Sequence, residues 1–242
     1  MSQPIYNRVL LKLSGDILKG KNVNGIDFDF VGYIVREIMQ LHSNDVEVAI
    51  VVGGGNLFRG SEAEKAGYDR IIADNMGMLS TVINALAIHN SLENHGVTTR
   101  VMSAIGIQEL VEPFIRRRAI RHLEKGRVVV FAAGTGNPLF TTDTAASLRA
   151  SQISAEVILK GTKVNGVYDV DPVTNPNAVM FDRIDYMGVI KRGIKVMDLT
   201  SITFCQDYKI PIHVFNITTK GNLWRVVCGD KIGTLVKEVD HD

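Results

Sequence analysis

Along the chain, short continuous apolar runs alternate with stretches whose apolar residues recur every three to four positions. The runs Arg8–Leu13, Glu47–Val52, Thr99–Met102, Val128–Ala132, Glu156–Leu159 and Ile212–Phe215 are rich in β-branched residues. Continuous rather than alternating apolar character suits strands covered on both faces. The intervening stretches have a helical period. Val31, Ile34, Val35, Ile38 and Leu41 fall on one face of a helix that Asp27 is placed to cap. Leu79, Val82, Ile83 and Leu86 share a face of a second helix, which begins near Asn75 and which Gly96 is placed to end. A third opens Thr144-Ala145-Ala146 behind Asp143 as its N-cap. Asp185–Asp207 reads as helical, Asp169–Asn177 as a loop with two prolines, and Thr234–Val239 as a closing strand. Strands alternating with helices predict an α/β fold: an open, mainly parallel sheet with helices on both faces and right-handed connections.

Length and charge narrow the class. At 242 residues the chain makes one large domain or two small ones. With 45% apolar and 22% charged residues it is not a disordered chain. Its 27 basic and 26 acidic residues leave a net charge of +1, so nothing suggests a nucleic-acid coat or a polybasic membrane patch. Any anion site must be built locally. Cys205 and Cys228 cannot form a disulfide framework, and with no secretory leader a reducing cytoplasm is expected. No apolar run approaches the roughly 20 residues of a membrane span.

Open α/β sheets bind ligands beyond the carboxyl ends of their strands, so the residues that follow strands carry the chemistry. After the first strand come Lys12-Leu13-Ser14-Gly15, an ammonium with backbone N–H groups that suit a phosphate. Gly15–Asn22 resembles a Walker A loop but has Asn22 where the Mg²⁺-binding hydroxyl belongs, and no helix follows. After the second strand, Gly53-Gly54-Gly55 lets backbone approach a ligand closely, and Arg59 adds a fork for bidentate phosphate contact. Beyond Ala132, Ala133–Asp143 is dense in small and hydroxyl residues, suited to a neutral polar ring. Its Asp143 is an N-cap or orients lysines or a metal. After the fifth strand, in Lys160–Pro172, Tyr168 offers a stacking face and Asp171 an acceptor, unless Asn165-Gly166 is only a hairpin turn. Metal-protease, zinc, nucleophile-elbow and dinucleotide-binding motifs do not occur. The run Arg116-Arg117-Arg118 reads as a solvated helix face.

In this order the loops resemble the amino acid kinase superfamily, and within it the bacterial uridylate (UMP) kinases. The resemblance rests on KLSG at Lys12–Gly15, GGGNLFRG at Gly53–Gly60 and DNMGMLSTVINALA at Asp74–Ala87. It continues in AGTGNPLFTTD at Ala133–Asp143, TKVNGVYDVDP at Thr162–Pro172 and KVMDL at Lys195–Leu199. It implies a three-layer sandwich forming a single domain, 1–242, with acceptor binding in about 1–155 and ATP binding in about 156–242. The implied reaction is phosphoryl transfer from Mg²⁺-bound ATP to UMP, giving UDP and ADP, in pyrimidine nucleotide biosynthesis. It implies ATP at Lys12, Leu13, Ser14, Gly15, Gly55, Arg59, Thr162, Asn165, Tyr168 and Asp171. UMP falls at Gly54, Asp74, Thr135, Gly136, Asn137, Pro138, Leu139, Phe140, Thr141 and Thr142. Lys12, Arg59 and Asp143 are the expected catalytic residues, with Asp74 on the ribose and Lys195 a second donor-side cation. Members are homohexamers activated by GTP and inhibited by UTP; Gly20, Lys21, Asn22, Val23, Asn24 and Gly25 match the GTP-responsive segment.

The acceptor's own phosphate oxygen is the nucleophile, so no general base is needed, in keeping with the missing histidine motif. Two other functions fit parts of the pattern. One is a kinase of the same superfamily acting on glutamate or carbamate, which would need no nucleobase loop. The other is a uridylate-binding regulator without turnover, which would not need Lys12, Arg59 and Asp143 together. The helix near Asn75 carries only Glu93, His89 and His95 as titratable groups up to Gly96. It is therefore buried on more than one side, as a core helix or as a subunit interface reached by Asn84.

Overall fold

A computed structural model describes residues 3–238. The strands are β1 (Arg8–Leu13), β2 (Glu47–Val52), β3 (Thr99–Ser103), β4 (Glu112–Pro113), β5 (Val128–Ala132), β6 (Val157–Thr162), β7 (Arg183–Ile184), β8 (Ile212–Asn216) and β9 (Thr234–Val236). The helices are α1 (Gly15–Leu18), α2 (Phe28–His42), α3 (Gly60–Lys65), α4 (Arg70–Asn94), α5 (Arg116–Glu124), α6 (Thr142–Ile153), α7 (Tyr186–Lys191), α8 (Leu199–Asp207) and α9 (Asn222–Val227). All strands join one sheet in the order β4-β3-β5-β2-β1-β6-β8-β9-β7. Among these strands every pairing is parallel except β8 with β9.

Residues of each central strand alternate between two cores. Val9, Leu11 and Leu13 pack with α2, α4 and α9 on one face. Leu10, Ala49 and Val51 pack with α5, α6, α7 and α8 on the other. The open parallel sheet with helices on both faces is thus as the pattern predicts. The chain winds from β1 outward to β2 on one side and places β6 on the other. The switch between β1 and β6 is where an open α/β sheet leaves a crevice.

Several expectations need correction. β6 runs on through Lys160 to Thr162, where the apolar pattern had ended it at Leu159. Its lysine is a strand residue facing the α6 side. Helix α4 begins at Arg70 rather than near Asn75, and Asp69 caps it by accepting from Ile72 N. Leu79 and Ile83 are about half exposed while Val82 is buried, so the four apolar residues assigned to one face divide between two. The Asp185–Asp207 segment is two helices parted at Gly193, whose φ of +63° no continuing helix allows. The closing strand is Thr234–Val236; Val239 lies outside the described residues. Among the described residues one helix, α4, is long and apolar enough to cross a membrane, although no such run was expected. Its Ala85, Ile88 and Leu92 pack into the core against the sheet.

Candidate active site

At the switch point, β1 and β6 present Lys12 and Lys160 side by side in parallel register. Both point to the face that α6 covers. Asp143, in the first turn of α6, lies between them: Lys12 Nζ is 2.5 Å from Oδ1, and Lys160 Nζ donates to Oδ2 at 3.0 Å. Lys160 Nζ also donates to the carbonyl of Val196. Asp143 is not the N-cap of α6 as its sequence position suggested. That role falls to Thr141, whose hydroxyl accepts from Asp143 N at 3.0 Å, which frees the carboxylate for the lysines. Burial alone would raise the Asp143 pKa, but the two ammoniums hold it below the usual carboxylate value. Burial pulls Lys160 the other way, down to about 8, against the attraction of Asp143.

Beyond β2 the glycine triplet is a matter of space. A Cβ on Gly15 would come within 2.5 Å of Gly55 N, and one on Gly54 within 2.8 Å of the Gly77 carbonyl. Buried Asn84 on α4 pins this turn by donating to Gly53 O at 2.7 Å and exchanging amide bonds with Asn56. It is a fully buried part of the scaffold rather than the interface residue expected. Arg59 stands beyond the turn, half exposed, and its guanidinium spans both oxygens of Asp16 at 2.6 and 2.7 Å. Lys19 stands 3.3 Å from the same carboxylate. Against the opposing cost of partial burial, Arg59 and Lys19 lower the Asp16 pKa.

A cavity of about 580 Å³ opens here, lined by Gly54, Gly55, Arg59, Asp74, Thr135, Asn137, Phe140, Thr141, Thr142 and Asp143, with Asp16 at its edge. Gly136, Pro138 and Leu139 shape the same loop without lining it. Gly136 has φ +82° and Leu139 φ +70°, left-handed turns within this loop. Asp74 is not at a helix start. Its carboxylate accepts from Arg70 Nε at 3.0 Å and from Leu139 N at 2.8 Å, tying α4 to the loop.

A second cavity, of about 590 Å³, lies across the seam and is lined by Lys160, Thr162, Tyr168, Asp171, Arg192 and Lys195, among others. Asn165 is not on its wall; its side chain accepts from Asn216 Nδ2 at 3.1 Å. Nor do Lys12, Leu13, Ser14 and Gly15 line it; Lys12 and Leu13 end β1, and Ser14 leads into α1 at Gly15. Asn165-Gly166 is not a hairpin turn, because residues 167–169 bond with 179–181. The Gly20–Gly25 segment folds against Asp27 and Asn56, with Gly25 N donating to Asn56 O at 3.0 Å. It meets Arg59 across a cavity of about 410 Å³. The described residues contain no cluster of three or more metal-ligating side chains. Lys160, Asp16 and Arg70 were not foreseen.

Residues 7–216 match the model of the amino acid kinase family, and the chain belongs to that family. Its structure is similar to that of a UMP kinase from Bacillus anthracis, at 39% identity and a TM-score of 0.93, covering 96% of each chain. A UMP kinase from Ureaplasma parvum matches at 39% identity and TM-score 0.90, over 96% of this chain and 99% of that one. A uridylate kinase from Archaeoglobus fulgidus matches at 28% and 0.74, over 94% and 99%.

Proposed function

We propose that this chain is a nucleoside monophosphate kinase that transfers the γ-phosphoryl group of ATP to UMP, giving UDP and ADP, in pyrimidine nucleotide biosynthesis. One observation carries the reading: a buried cationic cluster, Lys12–Asp143–Lys160, stands at the seam of two cavities of nucleotide size. Likeness to UMP kinases over nearly the whole chain supports the acceptor. Phosphoryl transfer asks a protein mainly to position two anions and neutralise their charge. In this reading UMP occupies the cavity on the Asp74 side, within 1–155, and ATP the cavity on the Tyr168 side, within 156–242.

Lys12 neutralises the transferring group, Asp143 orients Lys12, and Arg59 reaches toward the phosphates of both substrates. Asp74 reads the acceptor ribose while it holds the Leu139 loop, and Lys195 adds a donor-side cation. Both oxygens of Asp143 face lysines, so Mg²⁺ enters on the ATP phosphates as part of the donor substrate. No side chain needs to act as general base.

A coupled ADP-release assay with ATP and Mg²⁺ tests the reading. UMP should drive turnover at least a hundredfold above glutamate, carbamate or no acceptor. Turnover on glutamate or carbamate, or UMP binding without turnover, would overturn it.

The same reading makes the protein a cytoplasmic homo-oligomer, a hexamer, activated by GTP through Gly20–Gly25 and inhibited by UTP. Outward-facing Ile72, Met76, Leu79 and Ile83 form an apolar row along α4 that supports assembly on this helix. Sedimentation velocity of the wild type, and the same assay with GTP or UTP added, test these points; a monomer unresponsive to either nucleotide would refute them.

A further inference from the structure

Lys12 and Lys160 are direct neighbours on adjacent strands, a placement that costs free energy for two like charges unless anions lie between them. Only 7% of the Lys12 side chain and 14% of the Lys160 side chain are exposed, so water does little to screen them. Asp143 supplies one negative charge for two ammoniums, which leaves the trio with one positive charge in excess. Other charges face Lys160 as well. Asp198 acts on it electrostatically, but its oxygens already accept from Thr141, Thr144 and Ser201. Asp169, Asp171, Arg192 and Lys195 line the donor cavity with it and lie toward solvent. Lys160 therefore lines one cavity and grips, through its 3.0 Å bond, the carboxylate that lines the other.

Resting on the phosphoryl-transfer reading above, we propose that Lys160 is a positioning residue for the reaction: by sharing Asp143 it keeps the cluster cationic, so that the Lys12 charge remains available to the transferring phosphoryl group. With an uncharged residue in its place, Asp143 would neutralise Lys12 alone, and the seam would meet an arriving anion with no net charge. The bond from Lys160 to the Val196 carbonyl adds a second function. It ties the segment leading to Lys195 and Asp198 to the same carboxylate, so both walls of the donor cavity keep register with Lys12.

Protonation gives a readout that a merely structural lysine would not. Lys160 loses its proton near pH 8, well below an exposed lysine. The wild-type kcat should therefore decline as pH rises through about 8. Lys160→Met, similar in volume, should lower kcat roughly 30- to 100-fold at pH 7, a loss of about 2–3 kcal/mol. It should leave KM for UMP within about threefold and abolish the alkaline decline between pH 7 and 9. Lys160→Arg should restore part of kcat and move the decline upward. Melting temperature separates the alternatives: a lysine kept charged against its burial costs stability, so Lys160→Met should melt no lower than wild type at pH 7. Retention of kcat within threefold, persistence of the alkaline decline in Lys160→Met, or a lower melting temperature with kcat unchanged would overturn the proposal.

The two readings fail separately. A wild type inactive with UMP overturns the substrate assignment. The charge argument is then decided by calorimetry with inorganic pyrophosphate, which Lys160→Met should bind at least tenfold more weakly; equal affinity would overturn it. Should Lys160→Met not fold, Lys160→Arg and Lys160→Gln give the same comparison.

Discussion

Two cation–carboxylate pairs flank the seam, and they differ in burial far more than in contact distance. Lys12 faces Asp143 at 2.5 Å with 7% and 16% of the side chains exposed. Arg59 faces Asp16 at 2.6 Å with 43% and 39% exposed. A buried pair is a fixture: losing one partner strands a charge in a medium that cannot solvate the other. A half-exposed pair contributes about 0–1 kcal/mol and can be exchanged for a better one. The seam thus pairs a fixed cation with an exchangeable one. In the proposed reaction Lys12 is held on the path of the transferring group. Arg59 rests on Asp16; in the proposed reaction a phosphate, with more charge and a matching bidentate geometry, takes the fork from it.

The sharpest break of this comparison is Asp143→Asn. The substitution keeps the shape and leaves two neighbouring ammoniums without a counterion. Breaking a buried pair in this way typically costs about 3–5 kcal/mol. A drop in melting temperature should accompany a fall in kcat below a hundredth of wild type. pH sharpens the point. The Asp143 pKa is lower in the folded protein than the ordinary 3.8 of an unfolded aspartate. Its contribution to stability is therefore complete above pH 4 and lost as pH falls through the folded value. Acid unfolding of the wild type should show this loss below pH 4, and Asp143→Asn should not. An Asn variant with wild-type stability and kcat would mean that the cluster is an ornament of the fold.

Much of this layout could be read before the structure, and what could not has physical causes. β1, β2 and β5 were legible to the residue because strands buried on both faces are continuously apolar. β4 and β7 are two residues each and carry no period to read. Lys12 drew attention because Ser14 and Gly15 follow it, whereas Lys160 was read as the start of a loop because the apolar run stops at Leu159. A signal existed: Val9-Leu10-Leu11-Lys12 and Val157-Ile158-Leu159-Lys160 repeat one pattern, and the sheet sets them in register. Asp143 was read as an N-cap or as an orienter of lysines or a metal, and Asp74, just before the expected helix start at Asn75, as a ribose contact; a carboxylate near a helix start usually caps it. The real caps, Thr141 and Asp69, stand two and five residues earlier, and both carboxylates line the cavity of about 580 Å³ instead. Asp16 had no motif of its own; only the folded geometry brings α1 beside Arg59.

Arg59 tests the exchangeable half of the comparison. Truncating a charged partner of a substrate phosphate costs about 2–5 kcal/mol when the pair is desolvated. The guanidinium is nearly half exposed, so the lower end applies: about 2 kcal/mol, or roughly 30-fold in kcat/KM for Arg59→Ala. Arg59→Lys keeps the charge but loses the fork and should fall between alanine and wild type. Neither variant should move the melting temperature appreciably, in contrast to Asp143→Asn. Activity of Arg59→Ala within about threefold of wild type would make this arginine a rim charge and remove it from the phosphate path.

The smallest effect, and the finest probe of the exchange, belongs to Asp16→Asn. Asp16 holds the Arg59 guanidinium and its negative charge lines the cavity of about 580 Å³, so under the proposed reaction it would compete with phosphate for the fork. The asparagine keeps a hydrogen-bond acceptor but gives up the charge, so Arg59 is released at the cost of a weak surface pair. That should favour anionic substrate by less than about 1 kcal/mol, a decrease of at most roughly fivefold in KM for UMP. Salt provides the control: the pair is partly exposed, so the difference between Asp16→Asn and wild type should shrink as ionic strength rises from 0.05 to roughly 0.5 M. A rise in KM would show the opposite arrangement, in which Asp16 aims Arg59 at the phosphate instead of withholding it. The double variant Asp16→Asn with Arg59→Ala checks the premise that both arrangements share. If Asp16 acts only through Arg59, removing it should change nothing further once the guanidinium is gone.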